Sequence, residues 1–347
     1  MEFVSIQKEF YCGVDLHAKS MFVCIMNARG EIISHRNMPN EFSIFMKVIE
    51  PYCYSIAVGV ESTFNWYWLA DRCKETGIPF FLGHALYMKA LHGGKKKNDR
   101  IDSKKIADLL RCNLFPRAYP YPEGMRATRD LLRRRHRFVA LRAEGYTHIQ
   151  NTFSQQAIEG VGSLDVKKKD TRGNLSKLLP HPDLAMTVEC DIDMINSLDL
   201  IIRKIEKEIY AQAKNHDRKA LSILMTVPGI GEMIALTILY EIHTIERFSS
   251  AQKFSSYCRL VKCQRTSNGK PTGDGNNKIG NPHLKWAFSE IIIHAQRELE
   301  RIKRYYERLK SKHGKGKSKS IIAHKFAVAV YYMLKNGEAF DEDKFLS

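Results

Sequence analysis

An α/β sheet domain leading into a mainly helical second half is the fold class this sequence predicts, and three observations predict it. Before residue 85 the apolar runs are short and interleave with helical patterns in the order βββαβαβ. Beyond residue 103 apolar residues recur at three- and four-residue spacing instead. The 347 residues suffice for two domains, at ~150 residues each.

Tyr11-Cys12-Gly13-Val14, Met21 to Met26 and Glu31 to Arg36 predict three strands, with a turn at Asn27-Ala28-Arg29-Gly30. Their short links make an antiparallel meander. Residues 40–52 predict a helix with Phe42, Phe45, Met46 and Ile49 on one face and Pro51 near its stop. Ser55 to Val60 reads as a buried strand ending at Glu61, 64–76 as a helix closed by Gly77, and 79–82 as a short strand. A further helix starts near Asp102. Right-handed crossovers make the later strands parallel neighbours of the first. Residues 125–158 predict a helix carrying Arg133-Arg134-Arg135-His136-Arg137, and 160–185 a loop. Ile192, Ile195, Leu198, Ile202, Ile205 and Ile209 mark 186–215 as a long amphipathic helix or coiled-coil arm. Val227-Pro228-Gly229-Ile230-Gly231 resembles a helix–hairpin–helix turn, whose backbone amides can approach a phosphate. Residues 262–282 are polar and Gly-rich, hence a loop, and helices follow over 283–312 and 319–335 with a break from His313 to Lys317. The expected domains are 1–160, 161–218 and 219–347.

Lysine and arginine number 55 against 38 acids, a net charge of +17. Two segments hold the excess: 86–150 has 16 basic and 6 acidic residues, and 297–325 has 11 and 3. Such concentration is the footprint of a polyanion partner, whose binding releases counterions and is steeply salt-dependent. No apolar run approaches the ~18 residues of a membrane helix, and the opening MEFVSIQKEF is not patterned as a signal peptide. None of the eight cysteines forms a CxxC pair, so free thiols in a reducing cytoplasm are expected.

Asp15 and Glu61 each end a predicted strand, and Asp99 and Asp102 stand three apart at a helix entry. If the first and fourth strands are neighbours, their carboxyl ends present Asp15 and Glu61 together, at the edge where α/β sheets place ligands. Asp102 alone could equally be a helix N-cap. Four converging carboxylates repel unless cations neutralise them; hard divalent ions suit them, Mg²⁺ first, with Mn²⁺ as a substitute. A pair of such ions stabilises both oxygens of a phosphodiester displacement.

Gly13-Val14-Asp15-Leu16-His17-Ala18-Lys19, Gly59-Val60-Glu61-Ser62-Thr63 and Lys97-Asn98-Asp99-Arg100-Ile101-Asp102-Ser103 resemble the three motifs of the DEDD transposases of the insertion-sequence-110 family. The resemblance implies an RNase H-like, RuvC-like N-terminal domain with Asp15, Glu61, Asp99 and Asp102 as metal-binding tetrad. Tyr257-Cys258-Arg259-Leu260-Val261, Arg265-Thr266-Ser267-Asn268-Gly269-Lys270 and Lys278-Ile279-Gly280-Asn281-Pro282-His283-Leu284 resemble the same family's C-terminal domain. That match implies Ser267 as catalytic serine, with Thr266 the nearest other hydroxyl. Arg259 and Asn268 stand where the family usually has Gly.

The resemblance implies a site-specific DNA recombinase that moves its own insertion element through a covalent serine–DNA intermediate. Its partners are donor and target DNA, a structured non-coding bridge RNA and further copies of the chain, as dimer or tetramer, in a cytoplasmic, nucleoid-associated setting. The residues expected to touch nucleic acid are Lys95, Lys96, Lys97, Arg133, Arg134, Arg135, Arg137, Arg265, Lys270, Lys278, Lys315 and Lys317. No P-loop is present, which agrees with chemistry that needs no nucleotide. The alternatives are a RuvC-like metal-dependent nuclease or junction resolvase that uses water, and a non-catalytic nucleic-acid-binding protein.

Overall fold

The computed structural model describes residues 2–91, 98–213, 217–261, 264–268, 270–274 and 279–347. Two compact units divide the chain, Met1–Gly124 and Met125–Ser347.

Unit 1 contains β1 (Phe10–Leu16), β2 (Ser20–Asn27), β3 (Ile32–Pro39), α1 (Phe42–Ile49), β4 (Ile56–Glu61), α2 (Tyr67–Glu75), β5 (Phe80–Gly83), α3 (Ala85–Leu91) and α4 (Asp99–Arg111). The sheet order is β3-β2-β1-β4-β5. β1–β2 and β2–β3 pair antiparallel, β1–β4 and β4–β5 parallel, as the meander and crossover arguments predict. This mixed five-stranded sheet is consistent with the RNase H-like architecture. β1 is buried along most of its length, on one face against Phe45, Ile49 and Leu69, and on the other against Ile106, Ala107 and Leu110 of α4. Cys12, Cys24 and Cys73 are buried free thiols, and burial pushes Cys73 up to about 12.

Unit 2 opens in α5 (Glu123–Gln155), followed by α6 (Ser163–Lys167), α7 (Lys169–Arg172), α8 (Pro182–Ala213), α9 (Arg218–Met225), α10 (Glu232–Ile242) and α11 (Ala251–Tyr257). A hairpin of β6 (Gln264–Ser267) and β7 (Lys270–Asp274) precedes α12 (Pro282–Glu298), α13 (Glu300–His313), α14 (Lys315–Asn336) and α15 (Glu342–Leu346). The isoleucines of α8 do form a buried seam, and its occupant is α5 of the same chain. Ile149 and Phe153 pack on Val188, Ile192 and Ile195, and Arg142 meets Asp199 at 2.7 Å. Gly145 lets the two helices approach closely beside Ile195.

Several local expectations are corrected. The segment 160–185 is not a plain loop but holds α6, α7 and a single 3₁₀ turn, organised by the fully buried Arg172. Its guanidinium donates to the carbonyls of Val166 and Lys167 and to Asn196 and Asp199. Elements of five residues are too short to show a period. The helix expected over 283–312 breaks at Leu299, which is extended, and the His313–Lys317 break shrinks to Gly314 at φ +77°. The loop expected over 262–282 contains β6 and β7.

Candidate functional site

The parallel register of β1 and β4 runs Gly13 to Gly59 and Val14 to Val60. Asp15 and Glu61 come one step later, level with each other and on the face that Gly13 and Gly59 share, because strand side chains alternate. That face is covered by α4. A Cβ on Gly13 would lie 2.2 Å from the Ser103 carbonyl oxygen and 2.4 Å from the Ala107 nitrogen; one on Gly59 would lie 2.5 Å from Leu110. Gly13 thus lets the α4 backbone rest on β1, while Gly59 makes room for the Leu110 side chain, and the first turn of α4 reaches the sheet edge where Asp15 stands. Gly13→Ala is therefore expected to lower the urea midpoint by the equivalent of ~1–3 kcal/mol or more, since backbone rather than a movable side chain blocks the methyl. Gly124→Ala, with open space around it, is the control and should be close to neutral.

The N-cap of α4 is Asn98, whose Oδ1 accepts from the Arg100 amide at 2.7 Å. Asp102 is not the cap; it and Asp99 lie in the first helical turn, where the helix dipole favours negative charge. Asp102 is half-buried, 3.7 Å from Lys105 Nζ. Asp15 is buried, Asp99 exposed and Glu61 half-buried at the end of β4.

Sequence reasoning missed His17. Its Nε2 lies 3.4 Å from Asp15 Oδ2 and 3.2 Å from Asp99 Oδ2. Among the described residues, the metal-ligand atoms that gather within 4.8 Å of one another belong to Asp15, His17 and Asp99; Glu61 and Asp102 stand outside that group. The signal was present as Asp-x-His, since residues two apart at a strand end share a face. The His17 backbone is fastened: its amide donates to the Ser20 carbonyl, and its own carbonyl accepts from the side chains of Asn40 and Asn65. Two carboxylates and an imidazole at this spacing fit a divalent cation, which satisfies the demand that the charges be neutralised.

In unit 2, Ser267 closes β6 and pairs in register with Lys270. It stands at a hairpin end rather than in an irregular loop. Asn268 follows at φ +49°, and Arg259 has φ +57°. Both positions fall on left-handed backbone, where glycine is the least strained residue. Asn tolerates this region well, and Arg259 is held by an Nε–H bond to the Gly280 carbonyl at 2.9 Å.

The basic run of α5 divides in two. Arg133 donates twice to Glu241, at 2.6 and 2.9 Å, and Arg135 meets Glu206 at 2.7 Å. These two, expected to face a nucleic-acid backbone, are engaged by carboxylates of their own chain, while Arg134 and Arg137 are exposed. Glu241 is 1% exposed and also receives Arg129 at 3.0 Å and Asn281 Nδ2 at 2.7 Å. Asn281 in turn caps α12, accepting from the amides of His283 and Leu284. Burial pushes His283 down to about 4, with Arg133 and the neighbouring His136 adding to the effect against the pull of Glu241. Gly229, in the turn between α9 and α10, has φ +85° and lies against the α12 backbone. Its N–H donates to Glu298 Oε2 at 2.9 Å, so that amide of the phosphate-approaching turn is occupied internally. Lys315 and Lys317 are exposed at the start of α14, and Arg265 and Lys270 lie in the hairpin strands. Lys95, Lys96, Lys97 and Lys278 lie outside the described residues. No helix among the described residues is long and apolar enough to cross a membrane.

Comparison with known proteins finds two matching family models. One, described as a transposase and built on the DEDD type of IS110 elements, covers residues 12–157. The other, of the transposase IS116/IS110/IS902 family, covers residues 221–307. The chain is also similar to the transposase for insertion sequence element IS1111A of Coxiella burnetii (strain RSA 493 / Nine Mile phase I). The two are 23% identical over 341 residues, which is 94% of this chain and 90% of that protein.

Proposed function

The chain belongs to the IS110 family of transposases, and from that premise we propose that it cleaves and rejoins DNA through a phosphoserine link formed by Ser267. It is a DNA transposase, with DNA as its partner. The observation that carries the reading is the gathering of Asp15 and Asp99 at the β1 edge under the start of α4. Asp15, Asp99, Glu61 and Asp102 would hold divalent cations, Mg²⁺ in the first instance. Bound there, such ions supply charge stabilisation for the phosphate oxygens. With such ions bound, the four carboxylates would hold the scissile phosphate at the β1 edge, and the close seat of α4 on Gly13 sets Asp99 and Asp102 beside that edge. The Ser267 hydroxyl loses its proton and its oxygen bonds to phosphorus. The bond from phosphorus to the 3′-oxygen breaks, and that oxygen leaves as a 3′-hydroxyl, taking up through solvent a proton that balances the one the serine gave up. Reversal on the exchanged strand restores the serine, and the phosphodiester energy is kept in the intermediate. Arg265 and Lys270, on the strands flanking Ser267, and Lys278 offset the charge that develops there.

The remaining parts of the reading rest on the family and the charge map. The catalytic unit is RuvC-like, and the rest of the chain supplies a helical arm and the serine-bearing region. Base readout falls to a bridge RNA, with Arg134, Arg137, Lys315 and Lys317 on nucleic-acid backbones. Copies of the chain assemble on the nucleoid, and the apolar residues left exposed on α8 (Met186, Met194, Leu200 and Ile201) suit such contacts.

The test is trapping on a nicked suicide substrate taken from the element's own end, with Mg²⁺ and the RNA transcribed from its flank. The wild-type chain should give a detergent-resistant protein–DNA adduct, Thr266→Ala should retain it, and Ser267→Ala should abolish it. An undiminished adduct in Ser267→Ala overturns the serine role. Cleavage by the wild type with no adduct at all indicates hydrolysis by water instead.

A further inference from the structure

His17 is the one member of the Asp15–His17–Asp99 group that is not an acid, and nothing in the tetrad reading requires it. An octahedral ion with ligands at ~2.1 Å holds adjacent donor atoms ~3 Å apart. The Nε2 separations of 3.4 Å to Asp15 and 3.2 Å to Asp99 are close to that spacing. The side chain is 46% exposed, so its position comes from its backbone, fastened by Ser20, Asn40 and Asn65, and not from burial. A ring nitrogen so placed completes a mixed nitrogen–oxygen face on an otherwise all-oxygen site.

We propose that His17 is a ligand of the divalent cation held by Asp15 and Asp99, and that it biases this site toward Mn²⁺ over Mg²⁺. The inference rests on the tetrad reading above and adds a ligand and a metal preference to it. Mg²⁺ is the harder ion, keeps its waters and gains little from imidazole; Mn²⁺ accepts nitrogen alongside carboxylate oxygen. Glu61 and Asp102, outside the group, are left to a second ion or to the phosphate side of the first.

Pulsed electron paramagnetic resonance on the full-length chain with Mn²⁺ alone tests this without any appeal to activity. The wild type should show the ¹⁴N modulation of a directly bound imidazole, and His17→Ala and His17→Gln should lose it. Mn²⁺ affinity, read from the signal of free Mn²⁺, should fall roughly tenfold in both variants, with Mg²⁺ affinity by competition changing less than about threefold. Urea midpoints equal to wild type establish that both variants fold. Modulation that persists in the variants, or its absence from a wild type whose Mn²⁺ binding is lost in Asp15→Asn, overturns the His17 role and leaves the tetrad intact. Mn²⁺ binding unchanged in Asp15→Asn/Asp99→Asn overturns the tetrad reading and this inference with it.

Discussion

Asp15→Asn is expected to remove divalent-ion-dependent strand cleavage, by ~10³-fold or more, while DNA affinity stays within about threefold of wild type. Asn keeps the shape of Asp, so the buried end of β1 and the packing of α4 on Gly13 are preserved and the lost feature is the charge. DNA affinity comes from the basic segments, so removing one acid has little effect on it. Cleavage of end-labelled DNA and fluorescence anisotropy separate the two quantities. Wild-type cleavage by Asp15→Asn would reject the carboxylate pocket, and a parallel loss of binding would assign Asp15 to DNA contact instead. A helical role alone predicts neither pattern, because Asp15 sits on a strand.

Glu241→Ala should destabilise unit 2 strongly, by about 3–5 kcal/mol, because it leaves the nearly buried Arg129, and the partly exposed Arg133 beside it, without their carboxylate. Burial works to raise the Glu241 carboxyl, and the Arg133 hydrogen bond, the charges of Arg129 and Arg133 and the Asn281 amide outweigh it, so the pKa is held below its usual value. A carboxyl depressed in the folded state contributes stability that is present above its unfolded pKa, ~4.3, and is lost as the pH falls through the folded value. Urea midpoints should therefore drop for the wild type on acidification below about pH 4.5. The Glu241→Gln variant, already weakened, should lose much of that slope. A Glu241→Gln midpoint equal to wild type at pH 7 would show that the network contributes nothing net. Asn281 couples the same network to the start of α12, so Asn281→Ala and Glu241→Ala should be less than additive.

The elements legible in the sequence were those with a period or a stop signal. The three-strand meander, the parallel crossover strands and the long helices of unit 2 each span enough residues for alternation or 3.6-residue spacing to emerge. The five-residue α6, the four-residue α7 and the β6–β7 hairpin do not, and the polar, Gly-rich composition of the hairpin read as a loop. In the site, strand ends and a helix start located Asp15, Glu61, Asp99 and Asp102. His17 escaped because an Asp-x-His pair at a strand end is a weak mark by itself; what singles it out is Asp99, 82 residues away. The run at Arg133–Arg137 reads in the sequence as a nucleic-acid contact, since residue type does not say which side of a helix finds an acid of its own chain.

By itself, then, the sequence determined the longer strands and helices, where charge concentrates, and which short motifs carry acids and a serine, because these depend on neighbours within a few residues. Only the tertiary structure decided that Glu241 claims Arg129 and Arg133, that α5 fills the seam of α8, and that an imidazole joins two carboxylates at the β1 edge. Each of these is a pairing between groups far apart in the chain. Burial and close approach select such partners only once the backbone has closed around them.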